Sequence, residues 1–153
     1  MRSDYLNSNS SVGNFDLKIK KVTADITLTD ADSGSIIMVN PTATTEVDLP
    51  ALSSISSGWN CKIVLTEDTD GSDQGMGQKV NIDFGSGNDI VGLIGDTVDG
   101  GAGDYAVDND DYIACTANAS PGDMFSVFTD GARWYVHGLC KDASETPFAT
   151  AAG

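Results

Sequence analysis

The chain contains one histidine, His137, and any Ser-His-Asp or Cys-His catalytic arrangement would depend on it. The pattern places His137 at the end of a strand next to Tyr135, a position typical of a surface or a subunit interface. The sequence contains no phosphate-binding loop, no nucleophile-elbow motif and no zinc-protease motif. Aspartates are so common that no one pair marks a glycosidase site. The residues therefore predict that the protein is not an enzyme.

The acidic turns are the other candidates for chemistry, as sites for a divalent cation. The segment Asp68–Asp73 begins like a calcium-binding loop, but its sixth residue is Asp73 rather than Gly, and its twelfth is Lys79 rather than Glu. Gly85–Asp89 and Gly100–Asp104 resemble fragments of β-roll repeats, which bind calcium only in tandem. We interpret all three as solvated turns and predict no metal and no cofactor.

The three cysteines, Cys61, Cys115 and Cys140, do not form a zinc-site pattern. No two of them are closely spaced, and the only further nitrogen ligand would be His137. Each lies in or beside an apolar stretch. They are predicted to be small buried side chains, reduced in a cytoplasmic place of synthesis.

Charge excludes two classes of partner. The chain has 23 acidic and 8 basic residues, a formal net charge of −15, and would be repelled by nucleic acid and by anionic membranes. The first 21 residues contain four basic and two acidic side chains, so the rest of the chain has a net charge of −17. A basic arm on an acidic body could orient the protein on a charged partner. The alternative is that the lysines only solvate a strand face.

Short bursts of alternating apolar and polar residues, separated by turn residues, predict many strands and no long helix. The fold class predicted is all-β: a single-domain β-sandwich or barrel-like fold of short antiparallel strands with extended terminal arms. The predicted divisions are an N-terminal arm at 1–22, a β domain at 23–140 and a C-terminal tail at 141–153. Within the domain, the Gly- and Asp-rich segment 85–111 is predicted to be a long loop with one short strand.

The last hairpin has the strongest local signal. Asp130-Gly131 predicts a two-residue turn that places Val127 opposite Trp134 and Phe125 opposite Val136. One face of the hairpin would then be apolar and buried, with Trp134 in the core. The opposite face would carry Ser126, Phe128, Arg133, Tyr135 and His137.

The layout resembles a family of phage structural proteins, the capsid decoration or cement proteins. The similar segments are DITLTDADSGSIIMVNPTATTEVDLP, SGWNCKIVLTED and PGDMFSVFTDGARWYVHG, which together span most of residues 24–140 apart from the loop at 85–111. The resemblance implies a virion protein on the outer capsid surface, bound to the major capsid protein as a homotrimer and stabilising the shell. Its extended ends would clamp neighbouring subunits.

On this interpretation the contact residues are expected among a small set of basic and aromatic side chains: Lys18, Lys20, Lys21, Trp59, Tyr135, His137 and Phe148. Two alternatives remain open from the sequence. One is a tail- or head-fibre domain that contacts a host receptor, and the other is a calcium-stabilised adhesin or carbohydrate-binding module.

Overall fold

The computed structural model describes residues 18–66, 76–87, 90–97, 103–106 and 110–150. Within these ranges the chain forms two packed β-sheets, and the only helical segments are three-residue 3-10 turns. The strands are β1 Lys18–Val22, β2 Ile26–Thr27, β3 Ser35–Val39, β4 Thr45–Asp48, β5 Asn60–Leu65, β6 Val80–Asp83, β7 Ile90–Asp96, β8 Asp104–Tyr105, β9 Tyr112–Cys115, β10 Met124–Thr129, β11 Trp134–Cys140 and β12 Phe148–Ala149. None of the helical segments in these ranges is long and apolar enough to cross a bilayer. The prediction of an all-β sandwich is confirmed.

The first six strands wind between the two sheets. Strands β1, β3 and β5 are parallel neighbours in a seven-stranded sheet with the order β1-β3-β5-β10-β11-β7-β8. Strands β2, β4 and β6 are parallel neighbours in a five-stranded sheet with the order β12-β9-β6-β4-β2. From β1 to β6 the chain alternates between the two sheets. This half of the protein is therefore a stack of three coils, β1–β2, β3–β4 and β5–β6, each with one strand in each sheet.

The predicted antiparallel pairing is wrong for half of the ladders. Five of the ten described strand pairings are parallel, namely β1–β3, β3–β5, β2–β4, β4–β6 and β7–β11. Parallel strands require a crossover connection, and for the four parallel pairs among β1 to β6 the intervening strand in the opposite sheet provides it. The antiparallel pairings belong to the second half of the chain, where β9, β10 and β12 complete both sheets.

The β10–β11 hairpin has the predicted faces but a different register. Thr129 pairs with Trp134 and Val127 pairs with Val136, so the connection contains four residues, not two. The Asp130 carboxylate accepts the N–H groups of Ala132 and Arg133 at 2.8 and 3.0 Å and closes this longer loop. Because the register differs by two residues, each side chain keeps its predicted face.

Three of the predicted boundaries differ from the structure. Residues 18–22, assigned to the N-terminal arm, form the edge strand β1. Ile90–Asp96, within the segment predicted to be a long loop with one short strand, forms the seven-residue strand β7, which lies inside the seven-stranded sheet between β11 and β8. The predicted tail adds strand β12 to the five-stranded sheet, where Phe148 pairs with Ile113. The rest of the predicted arms, at 1–17 and 151–153, lies outside the described residues.

The core lies between the sheets and is built from the inward side of each strand. Its centre is an aromatic cluster in which Trp134 meets Trp59 and Phe84 edge-on, at centroid distances of 5.5 and 6.1 Å. Trp134 is fully buried, as predicted. All three cysteines are buried and form no disulfide, and their burial confirms their predicted role as small core side chains.

Candidate interaction surface

The outward side of the seven-stranded sheet is unusually apolar for a protein of this charge. Alternation along each strand places its exposed large hydrophobic side chains on this side. They are Ile19, Val91, Leu93, Phe128 and Leu139, each between 40% and 55% exposed. We call this side the outer face of the seven-stranded sheet. Its residues are aligned across strands, as in the row Ile19, Ile36, Lys62, Ser126, His137 and Leu93.

No carboxylate occurs on the outer face of the seven-stranded sheet among the described strand residues. Its charged side chains are two lysines, Lys21 and Lys62, both exposed. Within the described part of the chain, neither ammonium group forms an ion pair. In a chain with a net charge of −15, this face is therefore neutral to basic.

An aromatic pair lies on the same face. Phe128 on β10 stacks on Tyr135 on β11, with ring centroids 5.1 Å apart and an interplanar angle of 11°. His137 meets Phe128 edge-on at 6.3 Å. The Tyr135 hydroxyl donates a hydrogen bond of 2.8 Å to the Asp130 carboxylate, and this bond raises the pKa of Tyr135. Asp130 therefore holds the stacked pair in one orientation.

A groove runs beside the aromatic pair, over strands β3, β5 and β10. Its volume is about 540 Å³. One wall is Phe128, and the polar side chains that line it belong to Asn60, Lys62, Ser126 and the buried Ser35. Gly34 and Gly58 line one end without side chains, and we call this feature the β3–β5–β10 groove. It is large enough for a small ligand.

The opposite side of the protein has the reverse charge. The outward side of the five-stranded sheet carries Glu46, Asp48 and Asp83, and one carboxylate oxygen of each lies within 4.8 Å of the others. Burial, followed by repulsion from Asp48 and Asp83, raises the pKa of Glu46. Tyr112, on the neighbouring strand, also has a raised pKa, because of burial and then the charge of Asp83.

The cluster of Glu46, Asp48 and Asp83 is the strongest candidate for a cation among the described residues, and the acidic turns selected from the sequence do not include it. The loop Asp68–Asp73 lies outside the described residues. In the turn after β6, the N–H of Gly85 donates to Asp83 at 2.7 Å, and the N–H of Gly87 donates to Asp111 at 3.1 Å. Those carboxylates therefore serve as acceptors for turn N–H groups.

The three predicted contact lysines do not form one basic surface. Lys18 and Lys20 point toward the Asp30–Asp32 turn, where Lys20 pairs with Asp32 at 2.8 Å and Lys18 approaches the Ala31 carbonyl oxygen at 3.3 Å. Burial alone would raise the pKa of Asp32, but the hydrogen bonds from Lys20 and from Thr29 hold it below its usual value. Lys21 alone of the three lies on the outer face of the seven-stranded sheet.

Two of the predicted contact residues are in the wrong place for that role. Trp59 is 2% exposed, and its indole N–H donates to the Thr29 carbonyl oxygen at 3.1 Å inside the protein. Phe148 is 8% exposed, because β12 holds it against the core. Both contribute to stability rather than to a contact surface. Tyr135 and His137 do lie on the outer face of the seven-stranded sheet, next to each other on one side of β11.

Several surface residues were not selected from the sequence. Phe128 and Leu139 are apolar residues on the otherwise polar side of the predicted hairpin, and this departure from alternation could have indicated an exposed hydrophobic surface. Val91 and Leu93 lay in a segment interpreted as a loop. Lys62 gave no signal, because a single lysine within an apolar strand is typical of an exposed strand face.

The groups on this surface are suited to binding through apolar contacts and through a few cationic and aromatic side chains. Within the described residues His137 contacts the Phe128 ring and forms no hydrogen bond. Burial raises the pKa of Cys61 to about 12, which disfavours the nucleophilic thiolate.

No family model, curated protein or solved structure matches the chain, so the surface has to be interpreted from its own geometry.

Proposed function

We propose that this protein is a viral structural protein of the capsid-decoration type, without catalytic activity, which binds the outer surface of a capsid through the outer face of the seven-stranded sheet. The observation that carries the proposal is the position of its exposed hydrophobic side chains. Five of them share one face whose described strand residues include no carboxylate, although the chain as a whole is strongly acidic. An apolar patch of this kind is typical of a protein–protein contact.

The size of the face is consistent with this role. A sheet of seven strands is about 29 Å wide at the usual spacing of about 4.8 Å between strands. Six of the strands contain five to seven residues, which corresponds to lengths of roughly 17 to 23 Å. That extent approaches the patch of about 800 Å² that each partner contributes to a standard interface.

Charge indicates the chemistry of the partner. The complementary surface of the major capsid protein would be apolar opposite Leu93 and Leu139, on β7 and β11. It would carry acidic groups opposite Lys21 and Lys62. The acidic side of the five-stranded sheet would then face solvent, where net negative charge keeps decorated particles apart.

Shell stabilisation would follow from mass action. A protein that binds only the mature shell stabilises it by RT ln(1 + [L]/Kd) at each site, and the many sites of a capsid add together. We expect a homotrimer on the outer surface of the virion, after synthesis in the host cytoplasm, with no contact to nucleic acid or membrane. Light scattering coupled to size exclusion would then give about three times the chain mass of 15.9 kDa.

The decisive test is co-sedimentation of the full chain with shells assembled from the cognate major capsid protein. The wild-type protein should bind and raise the melting temperature of the shells. Leu93→Asp, which replaces an exposed hydrophobic side chain of the outer face with a charge, should weaken binding at least tenfold. The matched control is Ala51→Asp, which adds the same charge at an exposed turn outside both sheets.

Wild-type protein that fails to bind the shells would overturn the proposal, and so would Leu93→Asp binding as well as Ala51→Asp does. A monomer that does not bind shells would favour the adhesin or carbohydrate-binding alternative. A trimer that binds host cells but not shells would favour the fibre alternative.

A further inference from the structure

The β3–β5–β10 groove has an aromatic wall, Phe128, and within the described residues no ring stacks on the face of Phe128 away from Tyr135. The stack with Tyr135 occupies one face of the Phe128 ring. Strand β10 lies between β11 and β5, so the other face of the ring is directed toward β5. Phe128 pairs with Asn60 on that strand and lines the groove there. The stacking and the hydrogen bond from Tyr135 to Asp130 hold this wall in place before any ligand arrives.

The rest of the lining combines the apolar Ile36, Cys61 and Val127 with polar side chains that are suited to hydrogen bonds. Lys62 and Ser126 are cross-strand partners, two pairs along the ladder from Asn60 and Phe128 and therefore next to them on the same face, so the four side chains form a compact square. The Asn60 side chain is oriented by a hydrogen bond of 3.0 Å from its amide nitrogen to the Gly58 carbonyl oxygen. Its carbonyl oxygen and its second N–H remain for a ligand.

The charge in the groove is uncompensated. The Lys62 ammonium has no hydrogen-bond or ion-pair partner within the described ranges, and no carboxylate lines the groove. A ligand carboxylate or other anionic group at this position would form a charge-assisted hydrogen bond without competition from a side chain of the protein.

We propose that the β3–β5–β10 groove binds an anionic saccharide. The C–H face of a pyranose ring would pack on the face of Phe128 away from Tyr135, because the partly positive C–H groups complement the negative face of an aromatic ring. The hydroxyl groups would bind Asn60 and Ser126, and the acidic substituent would bind Lys62. A volume of about 540 Å³ accommodates a di- or trisaccharide.

The groove lies on the same outer face that is proposed to dock on a capsid, and both proposals use Lys62 and Phe128, so the saccharide would bind the free protein rather than the docked one. The groove lies over β3, β5 and β10, whereas Val91, Leu93 and Leu139 lie on β7 and β11, at the other end of the strand order. Capsid and saccharide would therefore compete for Lys62, whereas Leu93 takes part in docking alone. Failure of one proposal leaves the other intact.

The test is a titration of the ¹⁵N-labelled full chain, followed by amide chemical shifts. The anionic probes are 3′-sialyllactose and tri-galacturonate, and the neutral partners are lactose and galactotriose. We expect saturable shifts at Asn60, Lys62 and Phe128 with an anionic probe. The dissociation constant should be on the order of 1 mM, with binding of its neutral partner at least tenfold weaker.

Variants assign the binding to the groove. Phe128→Leu keeps an apolar side chain but removes the ring, and Lys62→Gln removes the charge; each should weaken binding at least tenfold. Lys21→Gln removes the other lysine of the same face, outside the groove, and should leave saccharide binding unchanged. Leu93→Asp should impair shell binding and leave saccharide binding intact, which separates the two proposals.

Three results would overturn this inference: no saturable shifts with either anionic probe, equal affinity for the anionic and neutral sugars, or full binding by Phe128→Leu. A dispersed amide spectrum of each variant establishes that it is folded, so loss of binding cannot be attributed to unfolding.

Discussion

Gly138 lies directly opposite Phe125 in the β10–β11 ladder, and no larger residue fits there. A β-carbon on Gly138 would lie 2.8 Å from Cγ1 of Ile94 and 3.0 Å from Cδ1 of Phe125. Both neighbours are fully buried, so neither can move away freely. This close approach brings β11 against the core, between β10 and β7.

Gly138→Ala should therefore destabilise the protein. Overpacking a filled core costs about 1 to 3 kcal/mol, because side chains leave their preferred rotamers. Urea denaturation of wild type and variant measures the change in the free energy of unfolding. The matched control is Gly95→Ala on β7, where a β-carbon would meet nothing within 4 Å. A loss as large in Gly95→Ala as in Gly138→Ala would contradict the steric explanation.

Asp123 is a buried carboxylate that needs both of its oxygens. It is 3% exposed, and it accepts the N–H groups of Ser120 and Lys141, each at 2.8 Å, on different oxygens. Asp123→Asn leaves one acceptor and directs an amide N–H at the other donor. An unsatisfied buried donor costs roughly 1 to 3 kcal/mol, which urea denaturation should detect as a loss of stability.

The control for Asp123→Asn is Asp142→Asn. Asp142 uses one oxygen, Oδ1, to accept both the N–H and the hydroxyl of Ser144. Asparagine retains that acceptor and caps a helical turn about as well as aspartate does. We expect the stability of this variant to be unchanged, and equal losses in the two variants would argue against the role of the second oxygen.

The acidic cluster on the five-stranded sheet should make stability depend on pH. The pKa of Glu46 is raised by burial and then by Asp48 and Asp83, so the folded state binds this proton more tightly than the unfolded state. The resulting stabilisation is present at pH values below the unfolded pKa and is lost as the pH rises through the folded pKa. Glu46→Gln should therefore raise the melting temperature at pH 7 and have little effect at pH 4.

Scanning calorimetry at the two pH values measures this difference. Asp30→Asn removes one negative charge at an exposed position outside the cluster, and so controls for net charge. If Asp30→Asn raised the melting temperature at pH 7 as much as Glu46→Gln, the effect would be due to net charge. If the higher melting temperature of Glu46→Gln persisted at pH 4, it would contradict a dependence on the protonation of Glu46.

The three thiols should be protected in the native protein. Cys61, Cys115 and Cys140 are each 5% exposed or less, and burial raises the pKa of all three. Because the thiolate is the reactive form, a disulfide reagent at pH 8 should label them only as fast as the protein opens. Complete labelling of all three is expected in urea, whereas rapid labelling of one thiol in the native protein would contradict the burial.

The sequence determined the parts of the fold that depend on alternation within one strand. Apolar residues two apart predicted the buried face of the β10–β11 hairpin, and the structure confirms Phe125, Val127, Trp134 and Val136 in the core. The predicted faces of the hairpin are correct although the predicted register is wrong by two residues, because side-chain direction repeats every two residues. The buried cysteines followed from the same apolar context.

Only the tertiary structure decided which strands are neighbours. Alternation is the same in parallel and antiparallel ladders, so it did not reveal the three coils of β1 to β6 or the parallel pairing of β7 with β11. It also did not place Phe148 in a twelfth strand, because a two-residue strand is too short to show a period.

The candidate site depended on that same missing information. Phe128, Lys62 and Leu93 are far apart in the chain and meet on one face only because β5, β10, β11 and β7 are neighbours in one sheet. The separation of charge arises in the same way, with the carboxylates of β4 and β6 on one side of the sandwich and Lys21 and Lys62 on the other. Composition gives a net charge, whereas strand order and the packing of two sheets decide where each charge lies.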